Sequence, residues 1–203
     1  MKHTRISKLL ILCINLCALH FLHAEENNTP EQAANTTINE VYLLPTIHSR
    51  HERKGEFYDL KRLTKVVTEI KADIFCTEIT PQSLKNIQAG KPDRRLKFFP
   101  EYTKVILKLE KELDYEVVPC SAWTPERNFK TIGIKEMDKA HYGLIAKALD
   151  KYSNQGKRIV ISFGAGHMNG LLVHLRQRKD IKIIDYRTNL NSQKRAYLKS
   201  LKK

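Results

Sequence analysis

The chain has 203 residues, 41% of them hydrophobic, and carries a formal charge of +14 at pH 7. That length makes one domain the expectation. Four cysteines without a Cys-x-x-Cys motif exclude both a disulfide scaffold and a cysteine-type zinc site, and cations that are spread out rather than interleaved with aromatics speak against nucleic acid as a partner.

The amino terminus reads as a targeting segment. Lys2, Arg5 and Lys8 form a basic start, an apolar run follows from Leu9 to Leu22, broken by Asn15 and His20, and Leu22-His23-Ala24 closes it. This predicts a signal peptide over residues 1–24, cleaved near Ala24, and an exported protein, periplasmic or secreted; an uncleaved anchor is the alternative. Residues 1–24 hold three cations and no anion, so the remainder keeps a charge of +11. Cys13 and Cys17 leave with that segment, while Cys76 and Cys120 remain and are free to pair or not. Residues 25–38 are polar and without period, which predicts a linker.

Short apolar runs then alternate with amphipathic ones. Strands are predicted over 40–46 (EVYLLPT), 73–79 (DIFCTEI), 115–120 (YEVVPC), 158–163 (RIVISF) and 181–186 (IKIIDY). Helices are predicted over 58–72, where Leu60, Leu63, Val67 and Ile70 share a face, and over 101–114, with Val105, Leu109 and Leu113 four residues apart. Further helices are predicted over 134–156, closed by Gly156, and over 168–179. PQSLKNIQ (81–88) reads as a helical turn and KPDRRLKFF (91–99) as a polar connection. The fold class that follows is α/β: a single domain over residues 39–188, with a mostly parallel sheet of about five strands and helices on both faces. Residues 189–203 form a basic, partly helical tail with Lys194, Arg195, Lys199, Lys202 and Lys203. It reads as a solvated face, or as a surface that docks on an acidic envelope. The oligomeric state is left open.

In such a sheet, ligands bind beyond the carboxyl ends of the strands. The polar residues there include His48 and His51 after the first strand, Glu78 at the end of the second, Trp123 after the third and His167 after the fourth. His48, Glu78 and His167 make a two-histidine, one-carboxylate set on three elements, suited to a divalent metal such as zinc, manganese or iron with open positions for water and substrate. His51, Glu52 and Arg50 are secondary candidates, His51 as a further ligand or proton carrier and Glu52 or Glu78 as acceptor of a water's proton. Gly164 and Gly166 are expected to let the backbone turn sharply, placing His167 at a helix amino terminus whose dipole favours the neutral, metal-binding imidazole. Each residue also has an ordinary reading. His48 and His51 can be exposed loop histidines, Glu78 can pair with Arg94 or Arg127, and His141 and His174, inside helices, read as structural or surface residues.

At these residues the chain resembles the TraB / Tiki / erythromycin esterase / ChaN-like superfamily. VYLLPTIH (41–48) stands for a first motif Gly-x-x-His, with Pro45 in place of its glycine; ADIFCTEI (72–79) supplies the glutamate; and GAGH (164–167) is the second Gly-x-x-His. The similarity covers most of residues 40–186, in a compact form with little room between Pro81 and Phe99 for a helical insertion. The resemblance implies His48, Glu78 and His167 as the site, with Arg50, Arg94 and Arg127 as lesser candidates for holding an anionic group, and a hydrolase, metal-assisted or metal-free, acting on a peptide or a small-molecule ester. Its alternative is a haem- or peptide-binding protein that uses the same crevice, with Tyr42, Tyr58 or Tyr142 as a haem ligand.

Overall fold

A computed structural model describes residues 37–200. The signal peptide expected over 1–24, nearly all of the expected linker, and Lys202 and Lys203 lie outside the described residues. The described chain is a single α/β domain in which five parallel strands are covered by helices on both faces. The strands are β1 (Asn39–Thr46), β2 (Ile74–Thr77), β3 (Glu116–Pro119), β4 (Arg158–Gly164) and β5 (Ile181–Asp185). Their order across the sheet is β3-β2-β4-β1-β5. Seven helices are present among the described residues: α1 (Leu60–Ile70), α2 (Pro81–Gln88), α3 (Leu107–Leu113), α4 (Phe129–Ile132), α5 (Ile134–Lys151), α6 (Met168–Leu175) and α7 (Tyr186–Ser200).

The chain moves outward from β1 to β2 to β3, then returns to insert β4 between β2 and β1. β5 is added on the far side of β1. Two hydrophobic clusters show which face each connection covers. Leu63, Val66 and Val67 of α1, Leu109 of α3 and Leu190 of α7 pack with Leu44, Phe75 and Val160 of the sheet. Ile145 and Leu149 of α5 and Leu171 and Leu175 of α6 pack with Leu43, Cys76, Ile159 and Ile161 on the other side. Connections running one way along the sheet thus lie on one face, and those running the other way lie on the opposite face, as right-handed crossovers require. β1 and β4 are neighbours whose connections leave in opposite directions, so a crevice opens between their carboxyl ends.

Local chemistry sets the element ends. Asp59 caps α1 by accepting the Arg62 N–H at 2.8 Å. Thr80 caps α2 with Pro81 at its first position, so the predicted turn is a two-turn helix. The predicted helix over 101–114 begins instead with a π-helical turn, Tyr102–Ile106, in which the Leu107 N–H reaches back to the Tyr102 carbonyl. The long helix stops at Lys151 rather than at Gly156. Gly156 has φ +66° and donates its N–H to the Thr37 carbonyl at 2.9 Å; it turns the chain into β4 and caps no helix. The predicted tail starts as α7, which begins within the expected domain and buries Tyr186 and Leu190. Pro45 sits in β1 beyond the last β1–β5 pair, Leu43 with Asp185, where a missing N–H leaves no β5 partner wanting. Cys76 and Cys120 are buried free thiols; the neighbouring Cys120 thiol and burial push Cys76 well above its ordinary pKa. No helix among the described residues is long and apolar enough to cross a membrane.

Candidate functional site

The crevice at the carboxyl ends of β1, β4 and β2 opens into a cavity of about 500 Å³. His48, Glu78 and His167, the three residues singled out from the strand ends, all line it. His48 follows β1 in a 3-10 turn, with φ +53°. Glu78 follows β2 and accepts the Gly164 N–H at 2.7 Å. His167 caps α6 after β4, with its Nε2 3.5 Å from Glu78 Oε1.

Each histidine is backed by a buried carboxylate. His48 Nδ1–H donates to Glu101 Oε1 at 2.7 Å, and Glu101 is fully buried at the head of the π-helical turn. His167 Nδ1–H donates to Asp138 Oδ1 at 2.5 Å, and Asp138 is buried on α5. Both Nδ1 protons are therefore committed, which leaves Nε2 as the nitrogen through which either neutral ring would ligate. This carboxylate–histidine pattern is the one that orients metal-binding imidazoles.

Two glycines make room for these groups. A Cβ on Gly164 would lie 2.5 Å from His48 Nε2 and 3.2 Å from Glu78 Oε2. A Cβ on Gly170, in α6, would lie 1.9 Å from Asp138 Oδ2. Neither Gly164 nor Gly166 has a positive φ, so the expected sharp glycine turn is not what Gly164 supplies. Close approach of the site side chains is.

The electrostatics also depart from expectation. Burial lowers the His167 pKa, but the Glu78 and Asp138 carboxylates outweigh it and hold the ring up at about 9. The helix dipole does not keep it neutral: two anions within hydrogen-bonding reach dominate a partial charge. Burial likewise lowers His48, and Glu101 and Glu78 reverse it to a net rise. Burial would raise Glu78, yet the two imidazoles and the Gly164 N–H bring it below its ordinary value.

His141, expected to be a bystander, lines the cavity edge-on to His167 with ring centroids 5.0 Å apart. Glu78, His141 and His167 each place a ligand atom within 4.8 Å of the others, a group that could hold a metal ion. Proximity and tautomer disagree about His141, however. Its Nδ1 accepts the Ala122 N–H at 3.0 Å, so in the neutral ring the proton is on Nε2. Burial pushes its pKa down to about 4, which keeps it neutral. His141 would have to give up that proton from an already neutral ring to ligate through Nε2, whereas His48 and His167 would release an Nε2 proton that their neutral rings do not need, keeping Nδ1–H on the backing carboxylates. Proximity thus groups Glu78 with His141 and His167, while the backing carboxylates single out His48 and His167 as the histidines whose Nδ1 protons are already placed.

The remaining candidates divide. Arg94 and Trp123 line the cavity. Arg50, His51, Glu52 and Arg127 do not. His51 is buried with both ring nitrogens used: Nδ1–H donates to the Tyr58 carbonyl at 2.6 Å and Nε2 accepts the Ile47 N–H at 3.0 Å. It locks the turn that presents His48 and has no lone pair left for a metal. Glu52 is an exposed partner of Lys104 at 2.6 Å, and Arg50 is an exposed partner of Glu56 at 3.7 Å. Arg127 sits in a surface turn, its N–H on Thr124 Oγ1 at 2.9 Å. The polar connection expected over 91–99 instead forms one cavity wall, with Arg94, Arg95, Leu96, Phe98 and Phe99. Tyr42, Tyr58 and Tyr142 are absent from the cavity lining.

Asp138 and His141 had a signal in the sequence. They are two ionisable residues, three apart, on the apolar face that Met137, Ile145 and Leu149 define. Glu101 had none, since a glutamate after Pro100 at a helix start is ordinary.

No family model matches the chain, and no curated protein and no solved structure matches it either.

Proposed function

We propose that the protein is a metal-assisted hydrolase that cleaves an ester or peptide bond held in this cavity. The observation that carries the reading is that two carboxylate-backed histidines and Glu78 line one cavity at the carboxyl ends of the strands, with Glu78 beside His167. Two imidazoles and a carboxylate on three elements are a donor set that zinc, manganese or iron accepts, with His48, Glu78 and His167 as the residues that would hold the ion. A divalent ion held there would supply an acidified water and a polarised carbonyl. Glu78, kept ionised by its neighbours, would take the attacking water's proton on a carboxylate oxygen not used to hold the ion, as the water oxygen bonds to the carbonyl carbon. His141 donates its Nε2–H to the carbonyl oxygen as negative charge develops there. The carbon–oxygen or carbon–nitrogen bond then breaks, and the leaving group takes up the proton that Glu78 received. The motif resemblance of residues 41–48, 72–79 and 164–167 supports the same assignment. Export of the chain would place this activity in the periplasm or outside the cell.

The test is turnover of a 4-nitrophenyl ester series and an apolar peptide panel by the purified protein, with zinc, manganese or ferrous iron supplied separately. Hydrolysis that chelation and His167→Ala both abolish is the expected result. Absence of turnover with every metal overturns the reading. The aromatic lining favours one second reading, a haem- or peptide-binding protein; a stoichiometric Soret band on haem titration, without hydrolysis, would select haem.

A further inference from the structure

The cavity is lined unevenly. The segment after α2 contributes Arg94, Phe98 and Phe99 to the lining, and later parts of the chain contribute Trp123, Phe129 and Met137. Phe98 and Phe129 are 59% and 56% exposed, large apolar groups left open to water at the cavity. Phe99 packs edge-on to His48 with ring centroids 4.6 Å apart, so the apolar wall reaches the proposed ligands. An apolar surface of this kind beside polar site groups has an apolar ligand part as its natural occupant.

The two arginines differ in their commitments. Arg95 is tied down: its guanidinium donates to Ser83 Oγ at 2.9 Å and to Thr80 Oγ1 at 3.3 Å, pairs with Asp93 at 3.5 Å and lies over the Trp123 ring at 5.0 Å. It fixes the Trp123 side of the cavity. Arg94 makes no ion pair or hydrogen bond among the described residues, and it lines the same cavity. A free guanidinium beside exposed aromatics matches a ligand with an apolar body and an anionic group.

Resting on the hydrolase reading, we infer that the substrate is a small apolar ester or amide that carries a carboxylate or phosphate, with its apolar body between Phe98, Trp123 and Phe129 and its anion on Arg94. Cationic amphiphiles and short anions each satisfy one half of this surface and leave the other half unfilled.

Trp123 is the sole tryptophan of the chain and lines the cavity, so its emission reports occupancy without turnover or metal. The probes are decanoate, decyltrimethylammonium and propionate, titrated into the full chain in chelator below micellar concentrations. The expected result is a saturable shift of emission with decanoate, at least tenfold weaker binding of the other two, and a loss of about tenfold in decanoate affinity in Arg94→Ala. Unchanged decanoate affinity in Arg94→Ala, equal binding of the cationic probe, or no saturable decanoate signal overturns the inference. Turnover is read separately: hydrolysis of a neutral ester with kcat/KM unaffected by Arg94→Ala leaves the hydrolase reading standing while an anionic substrate fails. The expected decanoate pattern without any turnover leaves the anion-binding cavity standing while the hydrolase reading fails.

Discussion

Both ends of the sheet are rich in charge, yet the two ends use it differently. At the amino ends, Glu40 pairs with Lys182 at 2.8 Å, Asp73 with Lys157 at 3.3 Å and Glu116 with Lys151 at 3.2 Å. The side chains in these pairs are 30% to 67% exposed, so water screens both partners and each pair contributes little to stability. At the carboxyl ends the same kinds of groups are removed from water. Glu101 is fully buried, Glu78, His167 and Asp138 expose only 12%, 13% and 7% of their side chains, and His48, at 35%, is the one site group that reaches water. Desolvation there has to be compensated by hydrogen bonds of fixed geometry, and fixed geometry is what a metal or a reacting group requires. The contrast teaches that burial, rather than charge content, separates a site from a surface in this molecule.

Substitutions can break that contrast in graded steps. The largest effect is expected from His167→Ala and Glu78→Ala, which remove a proposed ligand outright: metal affinity should fall beyond about 100-fold and turnover should vanish, read by isothermal titration beside circular dichroism to confirm the fold. Crowding the site comes next. Gly170→Ala drives a methyl into Asp138 and should destabilise the protein by about 1–3 kcal/mol in urea unfolding. Gly164→Ala should displace His48 and weaken metal binding more than stability, because its clash is with His48 and Glu78 side-chain atoms. Asp138→Asn and Glu101→Gln keep shape while removing the backing charge, and each should cost about 10–100-fold in metal affinity. A loss confined to one of them would show that a single histidine does the holding.

Acid and alkali sharpen the comparison through opposite signs. His141 titrates at about 4 in the folded protein, below the ordinary histidine value of 6.5. The unfolded chain therefore takes up this proton first, and stability present above pH 6.5 is lost as pH falls toward 4, by about 3 kcal/mol. His167 titrates at about 9, so its contribution is present below pH 6.5 and is lost as pH rises through 9. Metal-free protein should thus be most stable near pH 6.5 by denaturant unfolding, and Asp138→Asn should flatten the alkaline side. The smallest effect belongs to the amino ends: Lys182→Ala should change stability by less than about 1 kcal/mol and leave metal affinity unmoved.

The fold was legible because its signals are repeated and local. Five apolar runs alternating with 3.6-period helices announce a parallel sheet, and the strand ends then point to His48, Glu78 and His167. What was not legible depends on contacts across the chain. Glu101 is 53 residues from His48, and Asp138 is 29 residues before His167, so neither backing carboxylate is tied to its histidine by spacing. His51 looked like a ligand from its distance to His48, but its turn spends both ring nitrogens on the backbone. The polarity of residues 91–99 hid a wall, because Phe98 and Phe99 face a cavity that their own segment helps to enclose.

The most direct test is the metal content of the purified protein, compared across three single variants after incubation with zinc, manganese or ferrous iron. The account predicts one ion per chain in the parent, its loss in both His48→Ala and His167→Ala, and its retention in His141→Gln. A chain that takes up no metal, or one that loses it in His141→Gln while keeping it in His48→Ala, would contradict the assignment of His48, Glu78 and His167 as the ligand set.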